Sequence, residues 1–409
     1  MYQENQWKSK KSLIVLLIVA VAITSVLGTV VITNILNTAL GSRVSISRED
    51  YDRLVRYRRL FEVEALLDAD HLYDADPDHL VDYAVKGLVA GMGDPYAYYY
   101  TPEENARMQL ENQGVMAGIG VLITIDKTDN RATILRVYPD TPAEKSGVLK
   151  GDKIIFVDDQ NVEGLDASQV ATLIRGQEDT PVKIRFSREG ELLDINIVRS
   201  TFVINRISSS MLEGDIGYIA ISEFTGNCVD GYKSALSGLK EKGMKALIID
   251  LRDNPGGYVD DVCKIADTLL PEGKIVYTED NQGEQSVQRS DADMLGLPLV
   301  VLINGNSASA SEILAGAVQD YGVGVIVGTR SFGKGLVQIS RTFESDGAAV
   351  KYTYAQYFTP NGRNIHTTGI DPDVLVEMNE QLAENPVDIT LENDTQLLKA
   401  VDVIKGQLQ

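Results

Sequence analysis

The chain has 409 residues, 44% of them apolar, which is long enough for two or three domains that each have a core. Its formal net charge is −21, and this acidic balance argues against nucleic acid as a partner, because binding a polyanion needs concentrated lysine and arginine. The expected activity is therefore one that does not involve nucleic acid.

The N-terminus carries the first predicted element, a membrane span. Three lysines precede the apolar run SLIVLLIVAVAITSVLGTVVIT at 12–33. About 20 apolar residues match a hydrocarbon core of about 30 Å, whereas a cleavable signal usually has a shorter apolar region of about 7 to 15 residues. We predict that residues 1–42 form a cytoplasmic stub and a transmembrane signal-anchor, with one pass through the cell membrane at 12–33 and the remaining chain outside the cytoplasm. A cleaved secretory signal is the alternative and leaves the compartment unchanged.

Residues 43–104 are predicted to form a helical segment. Helical periodicity runs through 48–67 and 77–91, and the second stretch begins with an Asp-Pro pair typical of a helix start. His71 and His79 lie here among aspartates, which we interpret as a solvated helix entry in preference to a metal site.

Residues 105–200 change to short alternating strands, VLITI, ATILRVY, KIIFVDD, PVKIRFS and LLDINIV, interrupted by two short helices. The run AGIGV at 117–121 precedes the first strand. Its glycines permit close approach of a ligand to the backbone, and an extended peptide can add to a sheet edge. A bulge or tight turn is the alternative explanation for these glycines.

Together with TPAEKSGVLKGDKIIFVDDQNV at 141–162, this run resembles a PDZ domain of the bacterial-protease type. The resemblance implies a β-rich PDZ domain with two helices over 105–200. It also implies that the glycine loop binds the C-terminal carboxylate of a peptide through backbone N–H groups. Arg175, at the end of the second helix, either contacts the bound peptide or favours the helix C-terminus by its charge. The implied carboxylate-binding residues are Gly118, Ile119, Gly120 and Val121.

From residue 201 apolar strands alternate with helices, which predicts an α/β core over 201–378 with a largely buried sheet. The acidic tail, 379–409, ends in a helix-like LLKAVDVIKG. Cys228 and Cys263 are not in a CxxC pair, and we predict that they are small core residues. Whether they pair stays open.

The stretch 304–338 contains a near match to a phosphate-binding loop in GTRSFGKG. Gly335 stands where that motif needs a serine or threonine for magnesium, and the following LVQISRTF alternates as a strand where a helix is required. Nucleotide binding is therefore not expected.

The same stretch places Ser309 at a strand-to-helix turn. A capping box with Glu312 explains this serine structurally, but such a turn also exposes a nucleophile beside helix amides that can stabilise an oxyanion. His71, His79 and His366 leave a Ser-His-Asp triad open. Lys334 is the alternative base, since a buried lysine loses its charge through a pKa shift of up to about 3 to 5 units and can then accept the seryl proton.

The combination of SASASEILAGAVQDYG, GTRSFGKGLVQ, DLRDNPGG at 250–257, FTPNGRNIHTTGIDPDV and GLVAGMGDPYAYYYTPEE closely resembles the carboxyl-terminal processing peptidases, also called tail-specific proteases. These motifs cover nearly everything outside the anchor. The departures are Asp253, where asparagine is commoner, and DPYAYY in place of DPxSxY. The resemblance implies an α+β multidomain chain whose α/β protease core is of crotonase/ClpP-like type.

It also implies the site residues. Ser309 is the nucleophile, Lys334 the general base and Gln338 the residue that orients the lysine, while Gly257 and Ala310 supply the oxyanion hole. Gln338 shares a face with Lys334 only if a bulge or turn ends near residue 335.

The function expected on these grounds is a membrane-anchored serine endopeptidase that cleaves extracytoplasmic proteins and recognises their free C-termini through the PDZ domain. The resemblance implies no metal or organic cofactor, and it implies a homodimer through helical stripes at 48–91 and 395–405. The alternative is a non-catalytic PDZ adaptor that binds envelope peptides. A crotonase-like acyl transformation is a second rival that leaves the PDZ domain without a role.

Overall fold

The computed structural model describes residues 2–39, 46–73 and 76–408. The chain divides into two compact units, Met1–Ala84 and Val85–Gln409. The predicted boundary between residues 42 and 43 lies outside the described residues. The helices at the start of the chain are α1 (Tyr2–Ala39), α2 (Arg48–Asp70) and α3 (Pro77–Ala90).

Helix α1 contains Val15–Asn34, a stretch long and apolar enough, by length and composition, to cross a membrane. Helix α2 begins after Ser47, whose hydroxyl accepts a hydrogen bond from the Asp50 N–H at 3.0 Å. No residue of α2 is buried, and the exposed side chains include Leu54 and Phe61.

A β-rich domain follows in the second unit. Its main sheet has the strand order β3-β4-β5-β7-β8, with antiparallel pairing throughout and a short strand, β6, on β5. Buried branched residues such as Ile134, Ile154 and Ile184 fill the space beneath helix α6. The elements from residue 98 to 203 are β1 (Tyr98–Tyr100), α4 (Pro102–Asn112), β2 (Val115–Gly118), β3 (Val121–Asp126), β4 (Arg131–Val137), α5 (Pro142–Lys145), β5 (Lys153–Val157), β6 (Gln160–Asn161), α6 (Ala167–Ile174), β7 (Pro181–Arg188), β8 (Glu191–Val198) and β9 (Ser200–Val203).

The larger core contains the remaining elements. They are β10 (Ile207–Leu212), β11 (Ile216–Ile221), α7 (Cys228–Glu241), β12 (Ala246–Asp250), α8 (Val259–Asp267), β13 (Gly273–Asp280), β14 (Gln285–Ser290), β15 (Leu299–Ile303), α9 (Ala310–Tyr321), β16 (Val325–Gly328), β17 (Leu336–Thr342), β18 (Ala349–Phe358), β19 (Val374–Leu375), α10 (Glu380–Glu384), a 3-10 turn (Pro386–Asp388) and α11 (Thr395–Gln407).

The central sheet has the order β10-β11-β12-β15-β16-β19 and is parallel except for β10. Every residue of β12 and β15 is buried, as expected for parallel strands covered on both faces. Helices α7, α8 and α9 cover one face, and α11 covers the other with Leu397, Ala400 and Ile404. Cys228 and Cys263 are both buried and free.

The predicted core with a largely buried sheet contains a second sheet as well. Strands β13, β17 and β18 do not join the central sheet but form a second, antiparallel sheet with β14 and β1. Strand β18 contains buried, partly buried and exposed residues along its length. A parallel strand that is covered on both faces is buried throughout, so β18 does not fit the central sheet. The two sheets place the loops after β12, β15 and β16 together at the carboxyl edge of the central sheet.

The apolar residues at 395–405, which were predicted to contribute to a dimer interface, pack against the central sheet of the same chain. These side chains, in α11, pack on Ile248, Val300 and Leu302 of the central sheet. The stripe at 48–70 in α2 keeps its apolar residues exposed.

Candidate active site

Ser309 occupies the turn between β15 and α9. Its backbone has φ 55° and ψ −113°, a conformation that residues with a side chain rarely adopt and that persists only where the surroundings enforce it. The serines on either side use their hydroxyls to hold this turn. Ser307 Oγ donates to Leu251 O at 2.8 Å, and Ser311 Oγ donates to Asn254 O at 2.9 Å. Ser309 is therefore the candidate nucleophile of the three.

The glycine loop after β12 lies directly against Ser309. Asn254, fully buried, donates from Nδ2 to Ile221 O and accepts from the Gly256 N–H, both at 2.8 Å. A Cβ on Gly256 would lie 2.8 Å from Ser309 Cβ, and its φ of 110° also favours glycine. The loop therefore requires glycine to reach the serine.

The loops after β12 and β15 carry two backbone N–H groups that are candidate oxyanion donors, those of Gly257 and Ala310. In the part of the chain that the structure describes, neither the Gly257 N–H nor the Ala310 N–H donates to a protein acceptor. The neighbouring N–H of Tyr258 is used, by Phe224 O at 2.8 Å. Two free donors beside a serine suit the negative oxygen of a tetrahedral intermediate.

A fully buried carboxylate, Glu312, joins the serine turn to the lysine turn. Its Oε2 accepts from the Ser309 N–H at 2.9 Å and from the Lys334 N–H at 2.8 Å. Its Oε1 accepts from the Gly333 N–H at 2.7 Å and from the Ser331 hydroxyl at 2.5 Å. The capping-box explanation accounts for only one of these bonds. One side chain thus positions the backbones of both candidate catalytic residues.

The Lys334 side chain is half-buried in a cavity of about 470 Å³. Burial lowers the pKa of its amine, and the positive charge of Lys351 lowers this pKa further, while Glu312 and Asp94 oppose the shift. The Lys334 Nζ lies 4.8 Å from the centroid of the Tyr96 ring. The amine therefore becomes neutral at a lower pH than an ordinary lysine and is suited to accept a proton.

Gln338 lines the same cavity as Lys334. Strand β17 begins two residues beyond the lysine, and its register with β18 shifts between Val337 and Gln338. The loop that carries Lys334 ends at residue 335, and the bulge lies within the strand beyond it. The Gln338 Nε2 donates to the Thr353 hydroxyl at 3.5 Å.

His366 is not arranged as a partner of Ser309. Its backbone packs against Gly335, where an added Cβ would lie 2.6 Å from the His366 N. Within residues 76–408 the buried Nδ1 of His366 has no hydrogen-bond partner. A triad through this histidine lacks the hydrogen bonds that would orient the ring.

The glycine loop of the β-rich domain, Gly118–Val121, lies beside edge strand β3 and helix α6. Gly120 has φ 85°, and a Cβ there would lie 2.2 Å from Thr141 Cβ. Both the conformation and the close approach require glycine.

The peptide groups of this loop have a definite orientation. The Ile119 carbonyl accepts from the Ala143 N–H at 2.8 Å, and the Gly120 carbonyl accepts from the Tyr138 N–H at 3.0 Å. Because a trans peptide directs its C=O and N–H to opposite sides, the N–H groups of Gly120 and Val121 point away from these partners. Strand β3, which follows this loop, is at the edge of its sheet.

Arg175 follows helix α6, and its N–H donates to Ala171 O at 2.9 Å. Its exposed side chain lines the cavity that contains Lys334 and Gln338. The structure therefore places Arg175 in the wall of the cavity that contains the candidate base, whereas Gly118–Val121 do not line this cavity.

Sequence reasoning missed several residues of this site. Glu312 was interpreted only as a cap, although a glutamate within the otherwise apolar SEILAGAV was a signal of a buried role. Asn254 and Tyr96 lie within motifs that were noted for their resemblance alone. No local pattern indicated that Tyr96 would reach Lys334.

Comparisons with known proteins identify two families in the chain. The model of peptidase family S41 matches residues 215–376, and a PDZ domain model matches residues 133–188. The chain is 34% identical over 351 residues to the carboxy-terminal-processing protease of Bartonella bacilliformis, covering 83% of this chain and 79% of that protein. It is 32% identical to the carboxy-terminal processing protease CtpA of Bacillus subtilis, covering 79% and 69% of the two chains.

Among solved structures, the photosystem II D1 C-terminal processing protease superposes with a TM-score of 0.52 at 29% identity. The superposition covers 81% of this chain and 89% of that chain. The similarity therefore includes both the β-rich domain and the larger core.

Proposed function

The chain belongs to peptidase family S41 as a carboxy-terminal processing serine protease with a PDZ domain, and we propose that it is a membrane-anchored Ser-Lys endopeptidase acting on extracytoplasmic proteins. The observation that supports this most strongly is the Glu312 carboxylate, which accepts hydrogen bonds from the N–H groups of both Ser309 and Lys334. A single rigid group thereby fixes nucleophile and base relative to each other.

In the proposed reaction Ser309 Oγ attacks the scissile carbonyl while Lys334 Nζ takes its proton. The lysine then gives this proton to the leaving amine, and an acyl-enzyme forms on Ser309. Gln338 orients the amine, and the N–H groups of Gly257 and Ala310 stabilise the tetrahedral oxygen. Water hydrolyses the acyl-enzyme in the second half of the reaction.

The substrate would be recognised by its free C-terminus at the PDZ domain. The outward N–H groups of Gly120 and Val121 support carboxylate binding, with Gly118 and Ile119 completing the loop. An extended tail would add to edge strand β3. Arg175, on the same domain, lines the cavity of the general base and would link tail binding to that site.

The location would be the outer face of the cell membrane, with α1 as a retained single-pass anchor. The apolar stretch Val15–Asn34 supports a signal peptide or an anchor, and its length favours the anchor. Homodimerisation would use the exposed apolar residues of α2, since those of α11 are buried within the chain.

The test is cleavage of fluorescein-labelled reduced casein by the full-length chain in detergent micelles, with Ser309→Ala and Lys334→Ala variants. Both are expected to lose activity by about 10⁴-fold or more. A fluorophosphonate probe is expected to label Ser309, and Ser307→Ala should still be labelled at Ser309. Unimpaired cleavage by Lys334→Ala would contradict the mechanism. Tail binding without any cleavage by the wild-type chain would favour the adaptor.

Tail recognition has a separate test. A fluorescent peptide with an apolar C-terminus and a free carboxylate is expected to bind about tenfold more tightly than the same peptide as a C-terminal amide, since the amide lacks the charge that the loop N–H groups bind. Equal affinities would contradict the assignment of Gly118–Val121.

A further inference from the structure

The wall of the general-base cavity is built by a segment outside the two catalytic loops. Residues 94–100, DPYAYYY, run into strand β1, which pairs with β18 so that Tyr98 lies opposite Lys351. Pro95, Tyr96 and Ala97 line the cavity together with Lys334 and Gln338. A segment that precedes the PDZ domain in the chain therefore completes a site in the protease core.

Tyr96 makes the nearest ring contact with the base. The Lys334 Nζ lies 4.8 Å from the ring centroid, within the range of about 6 Å for a cation over an aromatic face. The Tyr96 N–H donates to Asp94 Oδ1 at 2.9 Å, which fixes the backbone that carries the ring. The half-buried ring covers one side of the amine and restricts its rotamers.

Asp94 reaches the second candidate residue through Thr353. The Asp94 Oδ2 accepts from the Thr353 N–H at 2.9 Å, which fixes the backbone that carries the Thr353 side chain. The Thr353 hydroxyl accepts from Gln338 Nε2 at 3.5 Å. By holding Thr353 in place, Asp94 therefore positions the hydroxyl that receives the Gln338 amide.

We propose that Tyr96 and Asp94 are positioning residues of the general base: the Tyr96 ring holds the Lys334 amine in place, and Asp94 orients Gln338 through the Thr353 hydroxyl. This inference rests on the proposed Ser-Lys mechanism. The pairing of β1 with β18 therefore holds the two positioning residues beside the general base.

The charges around the amine come from several elements. Glu312 on α9 and Asp94 favour the ammonium, and Lys351 on β18 disfavours it. The other titratable groups that line the cavity are Tyr98 and Tyr100 on β1, Glu104, Arg107 and Glu111 on α4, and Arg175 after α6. Removing the ring would admit water to an amine whose burial is the largest cause of its lowered pKa.

The experiment measures kcat and KM on fluorescein-labelled reduced casein from about pH 5 to about pH 10, using the full-length chain in detergent micelles. Tyr96→Ala is expected to lower kcat by about tenfold or more, to change KM by less than about twofold, and to move the acid limb of kcat to higher pH. Tyr96→Phe, which keeps the ring, is expected to restore most of the loss. If Tyr96→Ala does not fold, Tyr96→Leu replaces it and is expected to show the same loss of kcat.

Phe343→Ala is the control, because Phe343 carries an exposed ring just after β17 and does not line the cavity of Lys334. An unchanged kcat and acid limb in Tyr96→Ala, or the same changes in Phe343→Ala, would overturn the role of the ring. Lys334→Ala is measured in parallel. Activity without the lysine refutes the proposed mechanism, whereas an inactive Lys334→Ala beside a normal Tyr96→Ala refutes this inference alone.

The path through Thr353 has its own test, a double-mutant cycle. On the high-pH plateau of kcat, where Lys334 is neutral and the Asp94 charge no longer alters its protonation, Asp94→Asn is expected to lower kcat in the wild-type background and to have no further effect in a Gln338→Ala background. Independent, multiplicative losses would show that Asp94 does not act through Gln338.

Discussion

At the scale of single residues, Glu312 has the most demanding position in the molecule. It is fully buried and accepts hydrogen bonds from four donors on two loops. A buried carboxylate is costly unless it is paired or fully hydrogen-bonded, and here the donors are three backbone N–H groups and one hydroxyl. The residue therefore links stability to catalysis.

Glu312→Gln is expected to destabilise the fold by about 1 to 3 kcal/mol and to lower kcat/KM by about 100-fold. The amide nitrogen that replaces one oxygen would face N–H donors it cannot accept from. Urea unfolding and casein cleavage measure the two effects. Glu284→Gln, at an exposed position between β13 and β14, is the control. A variant as active and stable as wild type would contradict the linking role.

Lys351 gives a pH prediction at the same scale. Its positive charge disfavours protonated Lys334 and so lowers the pKa of that amine, after the larger effect of burial. Catalysis needs the neutral amine, so activity rises with pH through this pKa. Lys351→Gln removes the repulsion and raises the pKa, which should move the acid limb of kcat/KM to higher pH.

The control for this prediction is Lys245→Gln, which removes an equal charge just before β12, from a lysine that pairs with Asp215 on the turn before β11. Its acid limb is expected to stay in place. An acid limb that shifts to lower pH in Lys351→Gln would show that the two lysines do not repel each other in the active enzyme.

At the scale of elements, the site depends on the glycine loop between β12 and α8. Gly256 has a φ of 110° and lies in contact with the turn that carries Ser309. A Cβ there meets the Ser309 Cβ at 2.8 Å and the Ala308 O at 2.9 Å. These are backbone-anchored atoms, which cannot move aside without displacing the turn.

Gly256→Ala is therefore expected to reduce fluorophosphonate labelling of Ser309 by about 100-fold, because it displaces the nucleophile from the oxyanion donors. Gly283→Ala is the matched control, since Gly283 also has a positive φ, 80°, but open space around it. It tests backbone strain alone and should label normally. Equal labelling of the two variants would refute the steric argument.

At the scale of the whole molecule, helix α11 closes the second face of the central sheet. Arg252 joins it to the sheet, with its guanidinium 2.6 Å from Asp250 and 2.7 Å from Asp394. The three side chains are 11%, 8% and 5% exposed. Burial opposes the charge of Arg252, but the carboxylates outweigh this and raise its pKa.

Asp394→Ala is expected to destabilise the second unit by about 3 to 5 kcal/mol, because it removes one partner from a buried charge and leaves that charge incompletely paired. Urea unfolding of the full-length chain measures the change. Asp402→Ala, at an exposed position on the same helix, should change stability by less than about 0.5 kcal/mol. Similar effects from both substitutions would indicate that the network contributes little.

The sequence by itself determined the features that depend on neighbours along the chain. We predicted the alternating strands of the β-rich domain and the strand-helix alternation from β11 to β16, because burial imposes a period on local sequence. We predicted the helix at 12–33 from the length and composition of its apolar run. The motifs around Ser309, Lys334 and DLRDNPGG were enough to identify the family. The sequence predicted that Lys334 and Gln338 share a face only if a bulge or turn ends near residue 335. The loop that carries Lys334 ends there, and both residues line one cavity.

Only the tertiary structure decided which distant segments meet. The second antiparallel sheet, the burial of α11, the placement of Arg175 beside the base and the contact of Tyr96 with Lys334 all join residues far apart in the chain. Glu312 is the clearest example. The sequence Ser-x-x-Glu is the same whether the glutamate only caps the helix or also accepts hydrogen bonds from a second loop. Such contacts depend on packing between elements, and side-chain periodicity along one element carries no information about its partner.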